Sequence, residues 1–315
     1  MANITLLDVA KKNGSDLAIG LIEENLNAAP EFGFLPARSV SGTSFKSLIR
    51  TAFPKVPFRK PGAGSIPVAS TYTNRLHEMF YIDGQMEMDV ATASADENGE
   101  DNALSMEASG VMQGTLLTLG SQIWYGQAND SLGFQGAADF VDAAHTVDAT
   151  GTTVGGGSSV YMIVALPKFM GVVFGKGTPM TIGSWRKNTL VEGTAPNTTR
   201  RTVWNNSLEC WVGAEFLNIH AVVRIKNLTQ QGGKTLTDAM LADARSKFPT
   251  SVTPTHIVMN RIQRKFLQTS RTVVLNGSGS SKPSGGQATV APTPTEYDGI
   301  PIICTDSILQ TEAIV

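Results

Sequence analysis

Between Phe32 and Pro67 the chain places prolines at 36, 54, 57, 61 and 67, with a soft Pro61-Gly62-Ala63-Gly64 tip among them. Proline has no backbone N–H to give to a sheet ladder, so strands here lie at an edge or project outward. Apolar residues of the same stretch, Phe53, Val56 and Phe58, have too few local partners to bury them. Further on, "QMEMDV" alternates Met86, Met88 and Val90 with Glu87 and Asp89, the pattern of a half-exposed strand. The expectation is a long hairpin with "QMEMDV" as its return limb, standing away from a body. Before it, Leu6 to Lys12 and the stripe Leu17, Leu21, Ile22 and Leu26 are predicted as short helices, the second capped by Ser15 and closed by Pro30.

Charge is segregated along the chain. From Phe32 to His77 there are seven basic residues, Arg38, Lys46, Arg50, Lys55, Arg59, Lys60 and Arg75, and no acid. From Glu78 to Pro167 there are thirteen acids and no Lys or Arg. One account pairs the two hairpin limbs, basic against acidic, which covers Glu78, Asp83, Glu87 and Asp89. The other lays the basic limb of one subunit across the acidic stretch Asp96, Glu97, Glu100, Asp101 and Glu107 of the next. That would make Arg38, Lys46, Arg50, Lys55, Arg59 and Lys60 contact residues between subunits.

The strongest single element follows. Apolar residues at 104, 108, 111, 112, 116, 119 and 123 have helical spacing, which predicts a helix over 104–125, on the order of 30 Å long. Gly110 and Gly114, four apart on it, suggest a close crossing by another backbone. "GQANDSLGFQG" then ends it. The stretch 146–159, rich in Gly and Thr, is expected as a loop. From Val160 to Leu228 a rhythm of strands and turns predicts an antiparallel sheet. Leu236, Met240, Leu241 and Ala244 mark a helix capped by Thr235 or Thr237. "PTHIVMNRIQRKFLQ" reads as a strand feeding a helix, and 276–296 as a mobile loop. The Asp298-Gly299 turn announces a closing strand, Ile300 to Ile303.

With 315 residues, 41% of them hydrophobic, the chain can bury a substantial core. A net charge of −2 argues against wrapping nucleic acid as its main task. Cys210 and Cys304, the two cysteines, provide no disulfide framework and are expected buried and reduced. The opening "MANITLLDVAKK" lacks the form of a secretory signal, and the apolar run "VYMIVAL" is too short to span a bilayer. A soluble protein made in a cytoplasm is expected, so its Asn-x-Ser/Thr triplets are chance matches.

Chemical motifs fail one by one. "GVVFGKGTP" lacks both the early glycine and the Ser/Thr of a phosphate loop. His77, His145, His220 and His256 show no metal-ligand spacing, and there is no Gly-x-Ser-x-Gly elbow. The acids 96–101 lack the ligand order of a calcium loop. Asn260-Arg261 sits at a strand–helix junction, where it caps the helix or faces a ligand. No catalytic, cofactor or metal residues are assigned.

Longer stretches carry a resemblance. "LGSQIWYGQANDSLGFQGAADFV" (119–141), "WVGAEFLNIHAVVRIKNLT" (211–229), "TLTDAMLADARSKFP", "PTHIVMNRIQRKFL" and "YDGIPIICTDSI" together resemble tailed-bacteriophage major capsid proteins of the Hong Kong 97-like fold, podophage type. The resemblance implies an α+β fold with an N-terminal arm (1–50) and an extended hairpin (51–92). It also implies a peripheral domain (93–229) containing a spine helix (104–125), and an axial domain (230–315). One point of order departs from the family, because the strands of 160–228 precede the axial-type helices. The implied function is self-assembly through hexamers and pentamers into an icosahedral shell enclosing double-stranded DNA, without sequence-specific contact. Scaffold, decoration and portal proteins are the implied partners, with no membrane and no cofactor. The rival classes are a tail or baseplate protein, and a cytoplasmic two-domain ligand-binding protein or enzyme.

Overall fold

The computed structural model describes residues 27, 29–175, 180–192, 199–271, 273–274, 288–289 and 291–314. The helices expected before residue 27 and most of the 276–296 loop lie outside them.

The helices are α1 (Glu31–Phe34), α2 (Val90–Ser94), α3 (Glu100–Tyr125), α4 (Ala137–Phe140), α5 (Asp238–Ser246) and α6 (Arg261–Arg271). The predicted long helix is α3, one turn longer at its start. Its burial is uneven. Ala103 and Leu104 are buried at one end and Leu119, Ile123, Trp124 and Tyr125 at the other, while the middle is half-exposed. It therefore works as a bar between two packed ends. Among the described residues of the chain, none approaches Gly110 or Gly114 within 4 Å, so the expected backbone crossing is not made there by any of them.

The first sheet runs β1 (Ala37–Val40), β7 (Met170–Gly175), β10 (Thr199–Phe216) and β4 (Phe80–Asp89). Two more strands, β8 (Thr181–Ile182) and β9 (Arg186–Glu192), also pair with β10. Along β4 the expected alternation holds, with Met86 and Met88 buried and Glu87 and Asp89 half-buried on the other face. The inner face of β4 lies toward α3, and Gly84 comes close to Val111. "QMEMDV" is nevertheless not a hairpin limb. Its strand pairs antiparallel with β10, Met86 opposite Asn206 and Met88 opposite Trp204. The hairpin is instead β2 (Ser44–Ala52) against β3 (Thr71–Glu78), a separate two-stranded ribbon.

The second sheet has the order β15 (Glu296–Tyr297), β16 (Ile300–Cys304), β12 (His256–Met259), β6 (Ser158–Ile163), β11 (Val222–Leu228) and β5 (Thr146–Asp148), while β13 (Val273–Val274) and β14 (Ala288–Thr289) pair with each other apart from it. The strands of 160–228 thus do not make one antiparallel sheet. The segment of β6 and β11 belongs with β12 and β16, whereas β7 to β10 belong with β4. Continuous apolar runs in β6 and β12 fit this central, doubly covered position. Thr237 caps α5 by accepting from Met240 N at 3.4 Å. Leu241 and Ala244 of α5 and Leu267 of α6 close one side of this sheet over Val223, Ile225, Ile257 and Met259. A second cluster joins both sheets around Trp124, Tyr161, Val172, Val212, Val258 and Ile308. The Asp298-Gly299 turn forms as expected, both residues at positive φ (51° and 72°), and opens β16. Cys210 and Cys304 are free, the first buried and the second half-buried.

Candidate assembly surface

The hairpin is anchored at its base and bare beyond it. Arg75 Nη1 donates to the Phe216 carbonyl at 2.8 Å and its guanidinium stacks on Phe140 at 4.9 Å, which fixes the ribbon to the first sheet. Beside it, buried His77 stacks on Phe45 and lies 3.0 Å from Ser47 Oγ. Burial, and then the nearby Arg75 charge, hold its imidazole below the usual pKa range, favouring the neutral ring. The opposite face of the ribbon is solvent-exposed. Cross-strand register puts Lys46 opposite Leu76, Leu48 opposite Asn74 and Arg50 opposite Tyr72, all on that face. It is both apolar and basic.

Past the strands, residues 53–70 turn at Lys60–Ala63, where Arg59 Nη1 donates to the Ala63 carbonyl at 2.5 Å. Phe53 and Phe58 expose 78% and 106% of their surface, and Val56, Ile66 and Val68 are exposed beside them. Burying a side chain of this kind stabilises by about 1.5–3 kcal/mol. A projecting segment that leaves so many uncovered marks an interaction surface.

The expected contact residues fare unequally. Lys46, Arg50, Lys55, Arg59 and Lys60 lie exposed on the hairpin and its tip. Arg38 is elsewhere, in β1, where Nε and Nη2 reach the buried Glu215 carboxylate at 2.9 and 2.6 Å. Asp96 is buried, with Oδ1 accepting from Asn98 N at 2.9 Å. Glu100 faces Lys187 of β9 at 3.8 Å within the same chain. Glu97 and Asp101 are exposed and Glu107 is half-buried on α3. The internal pairing of hairpin limbs, basic against acidic, does not form. The partner of β2 is β3, and Asp83, Glu87 and Asp89 face β10.

Sequence reasoning missed the buried polar joints around the end of α3. Trp124 Nε1 donates to Glu31 Oε1 at 2.7 Å, and Thr305 Oγ1 donates to the same oxygen at 2.5 Å. One residue on, Tyr125 OH donates to Glu312 Oε1 at 2.6 Å. Glu312 Oε2 accepts from Ser159 Oγ at 2.6 Å and from Arg224 Nη2 at 3.1 Å. Burial, with the Glu312 charge behind it, pushes the Tyr125 phenol far above its usual range. Both carboxylate oxygens of Glu312 are thus occupied in holding the fold. Asn260 turns out to be a cap, accepting from Ile262 N at 2.9 Å and donating to the Ile308 carbonyl at 2.6 Å. The histidines are not all scattered, because His145 Nε2 lies 2.8 Å from His220 Nδ1. Among the described residues, no group of three or more His, Cys, Asp or Glu could hold a metal ion. No helix among them is long and apolar enough to cross a membrane.

The family model described as major capsid protein GP7 matches residues 36–315. The chain belongs to this major capsid protein family. It is a shell-forming capsid protein and a component of the virion. No curated protein matches the sequence. Among solved structures, a chain of bacteriophage Epsilon15 is similar over 100% of this chain and 98% of its own, with a TM-score of 0.72 at 17% identity. The bacteriophage JBD30 capsid is similar over 96% of this chain and 99% of its own, with a TM-score of 0.54 at 11% identity. At such identities the likeness speaks for the fold, which is Hong Kong 97-like and α+β.

Proposed function

We propose that this capsid protein assembles through hexamers and pentamers into an icosahedral shell around phage double-stranded DNA, which it touches without reading sequence. Assembly takes place in the host cytoplasm, with scaffold, decoration and portal proteins as the partners such a shell takes. Helix α3 is its spine helix and the β2/β3 ribbon its extended hairpin, which lies over neighbouring subunits, whereas Glu31 and β1 of the expected arm (1–50) are packed within their own chain. The spine helix with the first sheet forms the peripheral domain, and the second sheet with α5 and α6 forms the axial domain around the capsomer centre. Strand pairing supports assigning β5, β6 and β11 to the axial side, rather than dividing the chain at 229/230.

The observation that carries this reading is the exposed apolar and basic hairpin, which is anchored by Arg75 yet left uncovered by the described residues of its own chain. Removing the tip between Val56 and Ser70 tests it. The shortened subunit should remain folded by circular dichroism and form no shells in negative-stain images. An unfolded subunit, or normal shells, would refute the assignment. Rings or tubes formed by the intact protein would favour a tail or baseplate role instead.

A further inference from the structure

His145 ends a short 3-10 turn (Ala143–His145) that leads into β5, and His220 lies in another (Ile219–Ala221) that leads into β11. The two strands are parallel neighbours, and β5 is the outer edge of the second sheet. At the foot of this pair the two imidazoles meet, His145 Nε2 to His220 Nδ1 at 2.8 Å with the rings tilted by 60°. His145 is buried and His220 half-buried. Asp142 Oδ1 accepts from His145 Nδ1 at 2.7 Å and from its backbone N at 2.9 Å, so the Nδ1 proton is fixed in place. Nε2 of His145 is then the acceptor, and His220 must donate from Nδ1.

A first added proton does not break this arrangement. With one imidazolium and one neutral ring, one nitrogen across the contact still donates and the other still accepts. A second proton leaves two N–H groups facing each other across 2.8 Å, and the contact cannot survive.

We propose that Asp142, His145 and His220 form an acid-sensitive latch at the edge of the second sheet, closed while both imidazoles are neutral or one is charged and open when both are charged. The charged groups around it favour opening once both rings are charged. Lys247, at the end of α5, donates to the Ala144 carbonyl at 3.0 Å and adds positive charge. From β11, Arg224 and Lys226 line the same cleft as Ala143 and Thr146, but they are engaged by Glu312 and by Asp148 of β5. Asp142 is thus the carboxylate left to balance two imidazolium ions and Lys247. Burial first, and the neighbouring His145 second, hold the His220 pKa below its ordinary value. A depressed histidine pKa means that the unfolded form takes the proton more readily. The latch therefore stabilises fully above the ordinary imidazole value and loses its effect as pH falls toward the depressed one. Opening frees residues 142–148 and leaves the hairpin base untouched, since that is held by Arg75.

Hydrogen–deuterium exchange of the full chain, corrected for the intrinsic effect of pH, tests this. In the wild type the peptide covering 142–148 should exchange about five-fold faster at about pH 5 than at about pH 7.5, the effect of losing one hydrogen bond. In His220→Gln the change should vanish, because the amide can donate to neutral His145 or, after flipping, accept from its charged form. Equal exchange in the wild type at both pH values, or acid loosening retained in His220→Gln, would overturn the proposal. Should that variant fold poorly, nitrogen-15 histidine spectra of the wild type decide. A coupled pair gives two well-separated steps for His145 and His220, whereas two independent ordinary titrations would overturn the latch.

Discussion

Glu312 is buried, and replacing it with alanine perturbs the fold more than its place near the chain end suggests. Its carboxylate takes Tyr125 OH on one oxygen and both Ser159 Oγ and Arg224 Nη2 on the other. Arg224 is itself largely buried, with 15% of its side chain exposed. Glu312→Ala strands that guanidinium beside Ser159 and leaves the Tyr125 hydroxyl without an acceptor. Breaking a buried pair on one side costs about 3–5 kcal/mol. A domain is commonly stable by about 5–15 kcal/mol, so the loss is a large part of the whole. Glu312→Gln keeps the shape but removes the charge and turns an amide N–H toward a donor, for a loss of about 1–3 kcal/mol. Arg224→Met should resemble the alanine variant. The double change Arg224→Met with Glu312→Ala should cost less than the two single losses added, by about 1–3 kcal/mol. Urea unfolding of dilute, unassembled subunits, followed by tryptophan fluorescence, measures all four proteins. A Glu312→Ala loss below about 1 kcal/mol, or strict additivity in the double variant, would show that the joint does not hold the fold.

Two further substitutions follow from the same geometry. Gly126 ends α3 at φ +56°, and an added Cβ would lie 2.0 Å from Asp139 Oδ2 and 2.1 Å from Gly136 N. Gly126→Ala should therefore cost about 2–5 kcal/mol in a urea titration, from left-handed backbone and overpacking together. A nearly neutral variant would mean that the 126–139 loop is not seated on the helix end. Reversing Arg59 and Lys60 to Glu should leave a folded subunit that does not assemble. Reversing Asp101 and Glu107 to Lys in the same chain should partly restore shells seen by electron microscopy. Glu100 is left alone in that test because it is tied to Lys187. An exposed pair is worth only about 0–1 kcal/mol, but a shell repeats it in every subunit, so added salt should weaken assembly. Failure of the rescue, with every subunit folded, would refute a contact between the basic tip and a neighbouring acidic helix start.

What the sequence made legible is what local rules encode. The period of 104–123 located α3, Thr235 or Thr237 marked the start of α5, and Asp298-Gly299 the turn before β16, because each signal is contained within a few residues. Alternation in "QMEMDV" correctly marked Met86 and Met88 as the inner side, but a period of two says nothing about the partner strand. That partner, β10, starts more than a hundred residues later. The same limit hid the division of 160–228 between two sheets, since β6 finds β12 and β11 rather than its neighbour β7. Buried joints were the least legible. Glu31 meets Trp124 across 93 positions, and Tyr125 meets Glu312 across 187. A carboxylate in a sequence has no mark that separates a buried acceptor from a solvated charge.

Those two joints bear on how folding and assembly are kept apart. Trp124 and Tyr125 are consecutive, and each receives a carboxylate from a different end of the described chain, Glu31 before the first sheet and Glu312 after the second. The start of α3 is packed separately, through Ala103 and Leu104 against Met88 and Ala93. Both ends of the bar are thus secured by contacts inside one subunit, and its half-exposed middle needs no neighbour to stay in place. The uncovered Phe53, Val56 and Phe58 are gathered on a ribbon held to that body by Arg75, at a site remote in sequence from either joint. Damage at Glu312 or Gly126 should therefore appear in unfolding of the free subunit. Damage at the hairpin tip should appear in shell formation with the unfolding transition unchanged. A tip variant that lowered subunit stability by as much as Glu312→Ala would contradict this separation.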